Sequence, residues 1–212
     1  MKLYEHEGKR LFALSGIPVP KGIVVASKDE ARDAFRKIGP CVLKAQVLWG
    51  SRAKEQAIIA CDTQQSLEEA FDRLFARKVH EETVECLLVE EQLRISREYY
   101  LSITYRDRTP TVLASAHGGS EVVERLETDP DAVLVEPINI LKGMDGETAR
   151  TILNKAGFRD GDAVQAAGIL EKLYDFFIRN DALLAEINPL AKTSSGEWYA
   201  ADAKVEIDDD AL

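Results

Sequence analysis

Ala185-Glu186-Ile187-Asn188-Pro189-Leu190, followed by Asp202-Ala203-Lys204, decides the reading of this chain. Between the two segments lie Thr193, Ser194, Ser195 and Gly196, turn-forming residues flanked by short apolar runs. This pattern predicts two antiparallel strands with Asn188 and Asp202 side by side. One carboxylate and one amide oxygen suit a hard cation such as Mg²⁺ that keeps waters and nucleotide phosphates as its other ligands. That chemistry points to phosphoryl transfer. An Asn and an Asp at adjacent strand ends also serve as plain turn residues, and local sequence leaves both readings open.

The 212 residues are enough for a substantial core, as one large domain or two small ones. With 27 basic and 37 acidic residues the formal charge is −10, and the basic residues are not segregated, which argues against a duplex nucleic-acid surface. Asp208, Asp209 and Asp210 read as a solvated end. Cys41, Cys61 and Cys86 are odd in number and lack zinc or redox spacing, so a reducing cytosol fits. Charges run through the first ten residues and no apolar run reaches membrane-spanning length, which predicts an untargeted, soluble, cytoplasmic protein.

Working back along the chain, Tyr4 to Leu14 reads as a first helix, ended near Gly16 and followed by the stiff Ile17-Pro18-Val19-Pro20. A small α/β unit follows. Gly22 to Ala26, Cys41 to Val47, Ile58 to Cys61 and Val84 to Val89 are its strands. Ser27 with Glu30 opens a helix with the stripe Ala31, Ala34, Phe35 and Ile38; Thr63 opens another with Leu67, Ala70, Phe71, Leu74 and Phe75. Glu98 to Tyr105 and Pro110 to Ala116 form a hairpin about Arg106 to Thr109. A less regular stretch then precedes helices at Glu147 to Ala156 and Ala163 to Arg179. The expected organisation is two α/β lobes about a cleft, a small one over 21–93 and a large one from 1–20 and 94–212, with the first helix packed on the second lobe.

Lys44 sits inside the apolar run Val42-Leu43-Lys44-Ala45-Gln46-Val47, where its ammonium needs either a partner anion, such as a nucleotide phosphate, or a route to water. Gly50-Ser51-Arg52-Ala53-Lys54 offers a small-residue turn with two cations, as a phosphate-covering loop would, but it lacks the P-loop pattern. Glu90 and Glu91 end an apolar strand at the lobe boundary, where ligand clefts tend to form. Glu98 opens the next strand, either as a ribose or metal contact or as an ordinary charged strand end. Gly118-Gly119 brings backbone N–H groups close to an anion or simply turns the chain. Nothing near His117 makes a nucleophile–base set.

These segments together resemble the ATP-grasp portion of succinyl-CoA synthetase beta subunits and related acyl-CoA ligases. The resemblance is carried in order by Leu3-Tyr4-Glu5-His6-Glu7-Gly8-Lys9-Arg10-Leu11-Phe12, Gly16-Ile17-Pro18-Val19-Pro20, Val42 to Val47, Leu88-Val89-Glu90, Gly118-Gly119, Glu186 to Leu190 and Asp202-Ala203-Lys204. It implies an α/β (α+β) ATP-grasp fold with two lobes around a nucleotide cleft. It further implies that Lys44 meets ATP phosphates, with Gly50, Arg52 and Lys54 in the covering loop. Glu90 would lie at the adenine hinge, Glu98 near the ribose, and Asn188 with Asp202 on Mg²⁺. Glu186 would face a phosphohistidine that the CoA-binding alpha subunit carries, so neither His117 nor His80 takes that role. The family reaction joins a carboxylic acid to coenzyme A through an acyl phosphate and the phosphohistidine, at the expense of ATP or GTP.

Two departures from the family pattern matter. The loop after Lys44 retains Gly50 but has Ser51, Ala53 and Gln56 at glycine positions, and Glu55 adds a negative charge near the expected phosphates. Weaker nucleotide binding is the expectation. Family members also continue beyond the position of Leu212 into a further α/β domain, so the sequence reads as an excised domain or a short subunit, not active alone. The readings carried forward are an ATP-dependent acid–CoA ligase part acting on succinate, citrate, malate or another small acid, and a non-catalytic assembly or regulatory module of the same fold.

Overall fold

The computed structural model describes residues 1–48, 56–79, 82–119, 122, 129, 132–159 and 161–211. They divide into two compact units, one of Tyr4–His6 and Pro20–Arg94, the other of Met1–Leu3, Glu7–Val19 and Ile95–Leu212. Helix α1, Glu5–Leu14, contributes its first turn to the former and the rest to the latter.

In the smaller unit, β1 (Gly22–Val25), β2 (Cys41–Ala45), β3 (Ile58–Cys61) and β6 (Leu87–Glu91) form an antiparallel sheet in the order β1-β6-β2-β3. Its helices are α2 (Lys28–Ile38) and α3 (Gln64–Leu74). Ser27 Oγ accepts the Glu30 N–H, Glu30 reaches back to the Ala26 N–H, and Gly39, at φ 81°, ends the helix. Thr63 and Ser66 cap α3 reciprocally. The apolar stripes, Ala31 and Ala34 on α2 and Leu67, Ala70, Phe71 and Leu74 on α3, pack with Leu43, Ala45, Leu87 and Val89 into one core. Because a strand alternates, the residues between those core positions are presented on the opposite face of the sheet.

Of the run predicted as a strand from Val84 to Val89, only the part from Leu87 onward is strand. β4 (Lys78–Val79) and β5 (Glu82–Thr83) pair as a separate ribbon, and β6 begins only at Leu87.

The larger unit has β7 (Ile95–Arg106), β8 (Thr109–Ser115), β9 (Leu134–Pro137), β10 (Ala182–Thr193), β11 (Trp198–Ala200) and β12 (Lys204–Ile207). The order is β11-β10-β7-β8-β9, with β12 also paired to β10, and every pair is antiparallel. Asp107 and Arg108, both at positive φ, make the two-residue turn between β7 and β8. Helices α4 (Gly146–Lys155) and α5 (Asp162–Arg179) cover one face, where Leu101, Ile103, Val112, Ala185 and Ile187 meet Leu153, Leu170, Phe176 and Phe177. Phe12 of α1 belongs to this core, edge-on to Phe176 at 5.0 Å. Among the described residues, no helix is long and apolar enough to cross a membrane.

Candidate functional site

In the smaller unit the centre of interest is Lys44. Leu43 and Ala45 enter the helix-covered core, so Lys44 between them lies on the other face of the sheet. The register pairs Val42 with Glu90 and Lys44 with Leu88, which makes Glu90 the diagonal neighbour of Lys44. Lys44 Nζ donates to Glu90 Oε1 at 2.5 Å and to Glu5 Oε1 at 3.0 Å. All three residues are buried, with exposures of 7%, 3% and 2% for Lys44, Glu90 and Glu5. Of the two alternatives the sequence left open for this lysine, the partner anion is present twice within the chain, and the ammonium is not directed to bulk water.

Glu91 lies beyond this group and accepts the Lys21 N–H at 2.8 Å. Gly50, Arg52 and Lys54, with Glu55, lie outside the described residues.

In the larger unit Glu98, Tyr100 and Ser102 share the face of β7 away from the helices, while Tyr99, Leu101 and Ile103 enter the core. Glu186 of β10 lies opposite Ser102, and its Oε2 accepts the Tyr100 hydroxyl at 3.0 Å. Burial pushes the Glu186 carboxyl above its usual range; Lys204 and the Tyr100 hydrogen bond oppose this, and the Asp202 charge adds to it. Burial and the Glu186 charge likewise push the Tyr100 hydroxyl up.

On the other edge of β10, Glu186 pairs with Lys204 and Leu190 with Ala200, so Asn188 and Asp202 fall opposite one another in the unpaired interval between β12 and β11. The Asn188–Pro189 peptide is cis. The predicted juxtaposition is therefore present, with the partner strand split in two around Asp202.

Asn188 is held by both ends of its amide. Its Oδ1 accepts the Gly119 N–H at 2.8 Å and its Nδ2 donates to the Gly119 carbonyl at 3.1 Å. The Gly119 N–H is engaged by this side chain rather than offered to an anion. A Cβ on Gly118 would come within 2.7 Å of the Tyr99 carbonyl oxygen and 2.8 Å of its nitrogen, so only glycine fits against β7 there. Glu98 Oε2 would lie 3.2 Å from a Cβ on Gly119, which places the Glu98 carboxylate beside the same turn.

Glu98, Gly119, Asn188, Asp202 and Glu186 are consequently gathered on one sheet. The donor chemistry suits a hard cation: an amide oxygen retains a second lone pair after accepting one N–H, and Asp202 adds carboxylate oxygens. Among the described residues no group of three His, Cys, Asp or Glu could by itself hold a metal ion.

Two features escaped the sequence. Glu5 enters the sequence reading only within the motif Leu3 to Phe12, and the signal for its role was the open question of a partner for Lys44. The second is Asp162, fully buried at the start of α5. It accepts from Lys192 Nζ at 2.5 Å, from Arg97 Nη1 at 3.1 Å and from the Tyr99 hydroxyl. Burial alone would raise its carboxyl, but Lys192, Tyr99 and Arg97 together lower it. Lys192 and Arg97 are register partners on β10 and β7, and Lys192 lies over Trp198.

The chain matches the ATP-grasp domain over residues 2–192. Among curated relatives, the beta subunit of an ADP-forming succinate–CoA ligase from Methanocaldococcus jannaschii is 38% identical over 213 residues, 100% of this chain and 58% of that protein. The ADP-forming sulfoacetate–CoA ligase subunit SauC from Bilophila wadsworthia is 37% identical, with 100% and 57% covered. The chain thus spans a little under three fifths of the length of these relatives.

A solved structure of the dinucleotide-forming acetyl-coenzyme A synthetase 1 of Ca. Korarchaeum cryptofilum, with coenzyme A, Ca-AMPCP and HgCl⁺, superposes with a TM-score of 0.78 at 20% identity, covering 98% of this chain and 93% of that one. ATP citrate lyase from Methanothrix soehngenii, with citrate and coenzyme A, gives 0.75 at 16%, covering 99% and 51%. These two show the fold.

Proposed function

The chain belongs to the ATP-grasp family, and from that premise we propose that it is the nucleotide-binding part of an ADP-forming acid–CoA ligase. The carrying observation is the register of β10, which sets Asn188 opposite Asp202 with Glu186 earlier on the same strand. The reaction class comes from relatives whose names state it and with which the entire chain aligns at 38% and 37% identity. Lys44 supplies the cation for the nucleotide phosphates, with Gly50, Arg52 and Lys54 as the loop that covers them. Glu90 and Glu98 contact the base and ribose ends. Asn188 and Asp202 hold Mg²⁺, which when bound neutralises phosphate oxygens. Glu186, a carboxylate in a desolvated setting, faces the histidine that relays the phosphoryl group on a CoA-binding partner subunit. The acid is a small carboxylate such as succinate, citrate, malate or sulfoacetate.

Phosphoryl transfer asks a protein mainly for positioning and charge neutralisation, and each of these residues performs one of those tasks. Calorimetric titration with ATP, ADP and GTP, with and without Mg²⁺, tests the reading. Magnesium-dependent heats are expected from the chain alone, and thioester formation from a panel of acids only after addition of the CoA-binding partner. A folded sample silent at millimolar nucleotide rejects it. Glu55 in the phosphate loop favours that second outcome, under which the chain is an assembly or regulatory module.

A further inference from the structure

Tyr4, Glu5 and His6, at the start of α1, are tied to the segment from Lys44 to Leu48 directly or through Glu82. Tyr4 donates its hydroxyl to Glu82 Oε1 at 3.0 Å, and Glu82 Oε2 accepts the Leu48 N–H at 2.9 Å. His6 directs its backbone N–H and its Nδ1 to Gln46 Oε1, both at 3.0 Å. This fixes the Gln46 amide: with the oxygen taken by His6, Nε2 faces Glu5 Oε2 at 3.4 Å and the Lys44 carbonyl at 3.3 Å. Glu5 therefore has one orientation, and its other oxygen receives Lys44 Nζ. Gln46 is 1% exposed, and its contacts with Glu5 and the Lys44 carbonyl are sheltered from water.

We infer that Glu5 is a positioning residue for Lys44, a second anchor beside Glu90 that sets the direction of its ammonium for a nucleotide phosphate. The inference rests on the nucleotide-binding reading of Lys44. The physical reason is that a single contact leaves an ammonium free to swing about its partner carboxylate, whereas a second charge-assisted contact from another element fixes its direction. Glu90 is the closer partner at 2.5 Å, and Glu5 supplies the second contact from α1. With Glu5 neutralised, Lys44 keeps Glu90 but loses the anchor that aims its ammonium at the ligand.

The sign of one measurement decides the matter. Simple charge counting says that Glu5→Gln removes a negative charge near a bound triphosphate and should tighten binding. Positioning says that it should weaken binding, by about tenfold, the worth of one charge-assisted hydrogen bond. Glu5→Asp retains the charge but retracts the carboxylate by one methylene, and is expected to weaken Mg-ATP binding in the same direction. It also guards against a Gln variant that does not fold.

The experiment is calorimetric titration of Mg-ATP into the native chain, Glu5→Gln, Glu5→Asp, Lys44→Met and the double variant Glu5→Gln with Lys44→Met, each checked for folding by circular dichroism. Weaker binding in the folded position-5 variants, and no further loss from Glu5→Gln once Lys44 is Met, supports the inference. Equal or tighter binding by Glu5→Gln or Glu5→Asp overturns it, as does a loss that simply adds to that of Lys44→Met. A native chain that binds no nucleotide overturns the nucleotide-binding reading itself, an outcome separate from a native chain that binds and a position-5 variant that binds equally well.

Discussion

The two sheets present their charged residues under opposite conditions. On the four-stranded sheet, Lys44 is enclosed by Glu5 and Glu90, and the chain itself satisfies the cation. On the six-stranded sheet, burial disfavours the Glu186 charge; Lys204 and the Tyr100 hydrogen bond offset this only in part, and the Asp202 charge adds to it. In the first region a lysine contacts both buried carboxylates directly, whereas in the second the carboxyl stays raised despite Lys204, and an added cation would favour its charged form. It follows that disturbing the first region should register mainly as lost stability and disturbing the second mainly as lost ligand affinity.

Lys44→Met is the most severe test, since it strands two buried carboxylates. Removing one partner of a buried ion pair costs about 3–5 kcal/mol, and urea denaturation should show a loss of that size, with nucleotide binding weakened. A stability unchanged within about 1 kcal/mol would mean that the carboxylates reach water or protons easily, and the contrast between the sheets would fail.

Asp202→Ala should act in the reverse way, with little change in urea midpoint but a loss of Mg-nucleotide affinity of about tenfold to a hundredfold, the equivalent of roughly 1.5–3 kcal/mol. Asp208→Ala, in the acidic end of the chain, is the reference and should bind like the native protein. Coincident titration curves for the two variants would remove Asp202 from the metal.

Gly118→Ala tests whether the metal-side residues depend on backbone contact. Its Cβ would meet the Tyr99 backbone at 2.7–2.8 Å, where no side-chain rotation gives relief. Overpacking of this kind costs about 1–3 kcal/mol, and because Gly119 next to it anchors Asn188, affinity for Mg-nucleotide should fall as well. Stability lost with affinity intact would uncouple the turn from the site.

Much of this arrangement is readable without coordinates, for identifiable reasons. Helices α2 and α3 declare themselves because a complete apolar stripe and a capping residue coincide, and the hairpin from β10 was legible from Asn188, Pro189 and the Thr193 to Gly196 turn. Strand β9 was not, since Glu136 and Pro137 break its pattern and its hydrogen-bond partner, β8, lies far back in the chain. The β7–β8 turn uses Asp107 and Arg108 at positive φ with no glycine to announce it. At the site, sequence left Lys44 with either an anion or water as its partner, because Glu5 and Glu90 are remote in sequence from it. The buried Asp162 group was hidden for the same reason: Arg97, Lys192 and Tyr99 come together only when β7 and β10 pair.

The smallest expected effect is in the pH dependence of stability, and it separates two carboxylates within the larger unit. Glu186 is raised above its ordinary value of 4.5, with burial as the main cause. The native state therefore keeps a proton there at a pH where the unfolded chain has released it, so stability declines as pH climbs from 4.5 through the raised native value. Asp162 is lowered below its ordinary 3.8 because Lys192, Tyr99 and Arg97 outweigh burial, so its contribution is present above 3.8 and is lost as pH falls below it. Stability should thus rise modestly as the solution is acidified from neutrality towards 4.5, then drop at more acidic pH. Glu186→Gln removes the titrating group, so its urea midpoint should lack the rise while retaining the acid-side drop. If native and variant profiles run parallel across the whole range, Glu186 titrates normally, and the contrast between a self-satisfied sheet and one that gains from a cation loses its electrostatic basis.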